Sequence, residues 1–176
     1  TDDAVRAHVV ERQLGDPLVF SQFVSLRLES SGDLFLDGEG SASLYAPSAA
    51  YGTPDDLRRL VDQAHHFGLA VLLDVVYNHV GPEGAYLAEI HPDYLTDRQQ
   101  TPWGRAINLD GPGSEMVRRF IVENAVHWIR EYHVDGLRLD ATHALIDEGP
   151  SHIVCEIARA AHAAAAREIV VHAEDH

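Results

Sequence analysis

The chain has 176 residues, 45% of them hydrophobic, and a formal net charge of −15. That length supports a domain with a sizeable core, and the apolar fraction is ordinary for a globular protein. The charge argues against a nucleic-acid or anionic-membrane partner, because no basic patch is present to attract phosphates. The lone cysteine, Cys155, rules out an internal disulfide and fits a reducing compartment, so a cytoplasmic location is expected. The opening TDDAVRAHVVER lacks the basic start and apolar core of a signal peptide. No apolar run approaches the roughly 18–20 residues that span a bilayer. The sequence opens on Thr1 rather than Met, which suggests a processed chain or a stretch of a longer one.

Residues 1–42 give the weakest pattern and are expected to form an irregular N-terminal segment. Leu18 to Leu28 has strand character with mixed alternation, and Leu34 to Leu36 is a short apolar patch. Gly38 to Ser43, GEGSAS, reads as a flexible turn, because it has two of the three glycines of a dinucleotide fingerprint and no clear strand before it.

From Tyr45 the pattern becomes regular. Thr53-Pro54-Asp55-Asp56 predicts a helix start, with Thr53 as N-cap, Pro54 in the first turn and acids at the positive helix end. Leu57, Leu60, Val61, Ala64 and Phe67 follow at helical spacing, and Gly68 ends the helix. Leu69 to Val76, LAVLLDVV, suits a strand buried on both faces. A loop of about thirty residues follows, a length usually tied to function or disorder. Ser114 is expected to cap a second helix with Val117, Phe120, Ile121, Trp128, Ile129 and Tyr132 on its buried stripe. VDGLRLDATH, Val134 to His143, holds the next strand. A third helix over His152 to Ala166 turns Ile153, Val154, Ile157, Ala158 and Ala161 inward, and Cys155 is expected there as a buried structural thiol. Ile169 to Ala173 is a last strand, followed by Glu174-Asp175-His176.

Helix, strand, helix, strand, helix, strand is the grammar of a parallel α/β protein. Right-handed crossovers put the ends of the strands on one edge. Asp74 to His79, Asp140 and Glu174 then lie at or just past strand C-termini, the edge that carries the chemistry in such folds. Arg138 and Asp140, two apart on an extended strand, face the same side. That pair reads either as a structural ion pair or as a catalytic carboxylate held ionised.

Two carboxyls on neighbouring strand ends can act as nucleophile and general acid/base if their environments keep one ionised and the other protonated. Retaining glycoside hydrolysis wants them about 5–5.5 Å apart, and neighbouring strands roughly 4.8 Å apart can supply that. A metal-dependent barrel hydrolase stays open beside it, since His79, His143, His172 and His176 lie near the same edge, although no tight ligand spacing such as HExxH appears. His65 and His66 suit a helix C-terminus, and His127 and His133 read as surface or packing residues. No GxSxG elbow or Walker loop is present. Trp103, in TPWG, is a loop aromatic that either packs the loop down or offers a flat face to a sugar ring.

DVVYNH (Asp74 to His79), GLRLDATH (Gly136 to His143) and AED (Ala173 to Asp175) resemble three conserved regions of the α-amylase family of glycoside hydrolases, in the same order. YAPSAAYGTPDDL, YNHVGPEGAYL and TDRQQTPWGRAINLDGPGS are similar to its malto-oligosyltrehalose trehalohydrolases in particular, with glucan branching enzymes second. The resemblance covers residues 43–176 and implies a partial (β/α)8 barrel, roughly the third to fifth strand units. It implies Asp140 as nucleophile, Glu174 as general acid/base and Arg138 as the group that holds the nucleophile ionised. It further implies a hydrogen bond from His79 to the sugar, with Asn78 supporting the loop. Tyr77, Trp103 and His143 would line the substrate, and Asp74 would be a structural partner behind the site.

The implied reaction is cleavage of the α-1,4 bond next to the terminal trehalose of malto-oligosyltrehalose, with a malto-oligosaccharide-type substrate and no cofactor or metal. The family's third carboxylate, on a later strand, has no counterpart in these residues, and Glu39 stands where the family carries a stacking Tyr. A non-catalytic glucan-binding role and self-association through exposed barrel edges therefore belong to the expectations.

Overall fold

The computed structural model describes residues 24–28, 34–38, 44–47, 52–80 and 86–174, the first two stretches by backbone alone. Strands β1 (Val24–Leu28), β2 (Leu34–Gly38), β3 (Val71–Val75), β4 (Leu95–Thr101), β5 (Gly104–Ile107), β6 (Gly136–Leu139) and β7 (Val170–Ala173) are joined by helices α1 (Pro54–His66), α2 (Leu87–Ile90), α3 (Ser114–Glu131) and α4 (Ile153–Ala164). One sheet has the order β1-β2-β3-β6-β7, and β4-β5 form a separate pair. β2, β3, β6 and β7 run parallel, while β1 pairs with β2 antiparallel. The sheet thus reaches into the segment expected to be irregular, where the only sequence signal was strand character around Leu28 and Leu34. The expectations for residues 1–23 and 39–43 lie outside the described residues.

Helix α1 begins where the sequence places it. The Asp56 amide donates to Thr53 Oγ1 at 3.3 Å, and the Thr53 amide donates back to Asp56 Oδ2 at 2.7 Å. This reciprocal capping box satisfies two amides that no helical carbonyl can reach. Leu60, Val61 and Ala64 of α1 pack on the sheet, and Phe67 past the helix end is exposed. On α3 the buried face comprises Val117, Ile121, Ala125, Trp128 and Ile129; on α4 it comprises Ile153, Ile157 and Ala161. They close over Val71, Val75, Leu137 and Leu139 as one core. At roughly 1.5–3 kcal/mol per large apolar side chain, this burial is the main term holding helices to sheet. Gly136 lets β6 and β7 approach closely: a Cβ there would lie 2.5 Å from the Val170 carbonyl oxygen.

Three expectations need correction. Cys155 is exposed, not buried. It lies between the inward residues Ile153 and Ile157, so the helical turn carries it to the outer face. Ser114 is the first residue of α3 and not its cap; Gly113, at φ 77°, holds the cap position. A side chain there would be strained and would meet Asp93, with Oδ2 at 2.5 Å. The long loop after β3 contains the β4-β5 hairpin. Its strand LTDRQQT is mostly polar and so shows no alternation to read. Buried Asn108 anchors the hairpin's exit, donating from Nδ2 to the Asp93 and Pro112 carbonyls, both at 2.9 Å, and accepting from the Gly111 amide at 3.0 Å.

Polar staples tie these loops together. Arg118 on α3 donates to the Leu109 carbonyl and to Asp147 Oδ2, both at 2.7 Å, and pairs with Glu156 of α4 at 2.8 Å. Asp147 has a fully buried side chain and also accepts from the Ile153 amide at 2.7 Å. Asp110 accepts from Arg98 on β4 at 2.7 Å and from the Glu148 amide at 3.0 Å. At the opposite end of the sheet, Asp135 accepts from His65 at 2.7 Å, from the Val71 amide at 2.9 Å and from Arg167 at 3.1 Å.

Burial pushes the Asp147 carboxyl up, but hydrogen bonds from Arg118, Gly149 and Ile153 outweigh it and hold the group below its ordinary value. Because the folded value is the lower one, its stabilisation is full above about pH 4 and fades as the pH falls through the depressed value. Asp147→Asn should cost about 3 kcal/mol at pH 7 by removing the buried one of the two carboxylates that share the guanidinium. In urea unfolding the gap between variant and wild type should narrow at pH 3; an equal gap at both pH values would contradict this account.

Candidate active site

The strand register builds the site. Asp74 on β3 sits opposite Arg138 on β6, and Arg138 sits opposite His172 on β7. Asp140 and Glu174 each come one residue past the end of their strand. The Asp140 amide still donates to the Val75 carbonyl at 3.1 Å, and the Glu174 amide to the Leu139 carbonyl at 3.0 Å. Both acids are therefore fixed by backbone hydrogen bonds at the C-terminal edge of the parallel strands.

Arg138 is the centre of the cluster. Its Nη1 donates to Asp74 and lies 3.4 Å from Asp140 Oδ1, while its Nη2 pairs with Glu174 Oε1 at 2.7 Å. One guanidinium thus touches all three acids that the sequence places at this edge. Burial pulls the Arg138 pKa down, but the hydrogen bond and charge of Asp74, then the charges of Glu174 and Asp140, raise it on balance. A planar fork with five donors can serve several carboxylates at once, which an ammonium cannot.

Asn78 is fully buried and donates from Nδ2 to the Asp140 carbonyl at 2.8 Å and to Asp140 Oδ2 at 3.2 Å. It therefore orients the acid and offers no surface to a ligand. His79 Nδ1–H donates to Asn78 Oδ1. Trp103, in the turn between β4 and β5, stacks on His79 with ring centroids 5.0 Å apart and planes 12° from parallel, and it remains 48% exposed. His143 lies exposed on the single turn that follows Asp140.

Tyr77 departs from expectation. Its ring is 3% exposed, and its hydroxyl donates to Asn124 Oδ1 at 2.6 Å. Burial pushes the phenol above its ordinary pKa. Tyr77 packs behind the strand and does not line a substrate surface, because its neighbour Asn78 takes the inward position. Sequence reasoning also missed Ala141 and Thr142. The Ala141 amide donates to Glu174 Oε2 at 3.3 Å, and the Thr142 hydroxyl donates to the Glu174 carbonyl at 2.7 Å. Nothing in DATH marks those contacts, since they join residues more than thirty positions apart.

Among the described residues, no three His, Cys, Asp or Glu side chains are grouped to hold a metal ion. No helix among them is long and apolar enough to cross a membrane.

Residues 42–103 match the family model of the alpha amylase catalytic domain. Over 125 residues the chain is 53% identical to the malto-oligosyltrehalose trehalohydrolase of Saccharolobus solfataricus, covering 71% of this chain and 22% of that protein. The chain belongs to the α-amylase family of glycoside hydrolases. The trehalohydrolase of Deinococcus radiodurans is 47% identical over 139 residues, which is 79% of this chain and 22% of that one. A solved α-amylase-type structure from Salmonella typhimurium superposes with a TM-score of 0.70 at 40% identity, over 78% of this chain and 25% of its own. The chain thus spans a quarter or less of the length of these α-amylase family members, and its parallel strands form part of a (β/α)8 barrel.

Arg138→Met should destabilise the protein by about 3 kcal/mol or more, since Asp74 would lose its guanidinium partner in a site of low exposure. Arg138→Lys should recover only part of that loss. The midpoints of denaturant unfolding check both; full recovery by lysine would show that a point charge suffices.

Proposed function

We propose that residues 43–176 form the part of an α-amylase-family catalytic barrel that supplies the nucleophile and the general acid/base, and that the whole enzyme releases trehalose from malto-oligosyltrehalose. The observation that carries this reading is the single guanidinium shared by Asp74, Asp140 and Glu174 at the strand ends. The 53% identity to a trehalohydrolase supports the choice of substrate. The hydrolase acts in the cytoplasm and binds a neutral glucan, which suits a chain of net charge −15.

In this mechanism Glu174 takes up a proton and gives up its pairing with Arg138 when substrate binds; a carboxylate oxygen of Asp140 then attacks the anomeric carbon while Glu174 delivers that proton to the departing glycosidic oxygen. The C–O bond to the leaving sugar breaks and a glycosyl ester to Asp140 forms. Glu174, now a carboxylate, takes a proton from water; that water's oxygen displaces Asp140, and the acid is restored. Arg138 and Asn78 hold Asp140 aimed. Asp74 orients Arg138 from behind. Trp103 and His79 together present a flat aromatic face to a sugar ring, and His143 borders the acceptor side.

Two assays test this. In the full-length protein that carries these residues, Asp140→Asn should reduce trehalose release from malto-oligosyltrehalose by at least about 10⁴-fold, the scale seen when a covalent nucleophile is lost. Branch formation on amylose would instead favour a branching enzyme, and saccharide binding with no turnover in the wild type would favour a glucan-binding role. The 176-residue chain alone should self-associate through the edges of its open sheet. A monomer that melts cooperatively in sedimentation and calorimetry would refute that part.

A further inference from the structure

The end of β6 departs from a regular ladder in a way that bears on Glu174. In a parallel pair, the residue whose amide bonds Leu139 should give its own carbonyl to the amide of Ala141. The first half holds: the Glu174 amide donates to the Leu139 carbonyl at 3.0 Å. The second half does not. Ala141 adopts φ 44° and ψ 54°, a left-handed conformation that costs a side-chain-bearing residue about 1 kcal/mol or more. Its amide leaves the ladder for Glu174 Oε2, 3.3 Å away, and the turn redirects the chain that follows. Thr142 fills the vacated position twice over, its amide donating to the Glu174 carbonyl at 2.8 Å and its hydroxyl at 2.7 Å.

We infer that Thr142 is a positioning residue for Glu174, acting through the Glu174 carbonyl. One donor would satisfy that carbonyl. A second, from a different direction, fixes the plane of the peptide and hence the direction in which the Glu174 side chain leaves the backbone. It also holds the left-handed turn at Ala141, which keeps the Ala141 amide on the carboxylate. Both effects act on the group that transfers the proton. The inference rests on the assignment of Glu174 as general acid/base.

The test uses Thr142→Val, which keeps the shape and removes the hydroxyl, and Thr142→Ser, which restores it, in the full-length protein. With malto-oligosyltrehalose, Thr142→Val should lower kcat/KM about 3- to 10-fold, the scale of one lost positioning hydrogen bond, and Thr142→Ser should recover most of it. With an α-maltooligosyl fluoride, whose leaving group departs without a proton, kcat/KM for Thr142→Val should equal that of wild type. Equal losses on both substrates would overturn the inference, because a merely structural role slows both. So would no loss on either. Thermal midpoints within a few degrees confirm that the variants fold. Asp140→Asn serves as the separate control: if it leaves activity intact, the proposed site itself is wrong; if it abolishes activity while Thr142→Val changes nothing, only the role of Thr142 falls.

Discussion

The site depends on one guanidinium held between three carboxylates. Arg138 reaches Asp74 on one neighbouring strand, Glu174 past the other, and Asp140 just past the end of its own. Holding charged groups partly out of water is costly, and mutual pairing is what offsets it. The pairing is possible because β3, β6 and β7 are parallel and adjacent with Asp74, Arg138 and His172 in line. A register slip of one residue would turn Arg138 to the other face of the sheet and separate the acids. The sheet is held at its other end by Asp135, whose carboxylate joins α1, the start of β3 and the segment before β7.

Around this centre the loops are fixed by polar contacts rather than by their own apolar cores. Arg118 and Asp110 tie the β4-β5 hairpin, the segment after β6 and α4 to one another. The hairpin carries Trp103 to His79, and His79 is bonded to Asn78, which is bonded to Asp140. The aromatic face and the acid are therefore linked by a short chain of contacts, and packing within the loop alone would not provide that. Such an arrangement suits a site that must expose a binding surface and still hold its charged groups within a few tenths of an ångström.

Much of this was legible in the sequence, and unevenly so. The α1 cap, the three parallel strands and the convergence of Asp74, Asp140 and Glu174 follow from periodicity and local capping chemistry, which act over a few residues. Tyr77 was read as a substrate contact because it belongs to DVVYNH; the segment past β3 sends it to the core and Asn78 to the acid. Cys155 was read as buried because its neighbours are apolar, but the helix turns it outward. The β4-β5 hairpin was invisible because its first strand is mostly polar and shows no alternation, and because Asn108 anchors it through contacts that no local pattern marks.

The sequence by itself determined the order of the three helix-strand units, the family and the chemical types at the strand ends, because these are written in local patterns and motifs. Only the tertiary structure decided which acids share Arg138, that Trp103 meets His79, and that Ala141 leaves the ladder so that Thr142 grips Glu174. Those contacts join residues from about twenty to more than sixty positions apart. They follow from strand register and loop closure, which no short stretch of sequence encodes.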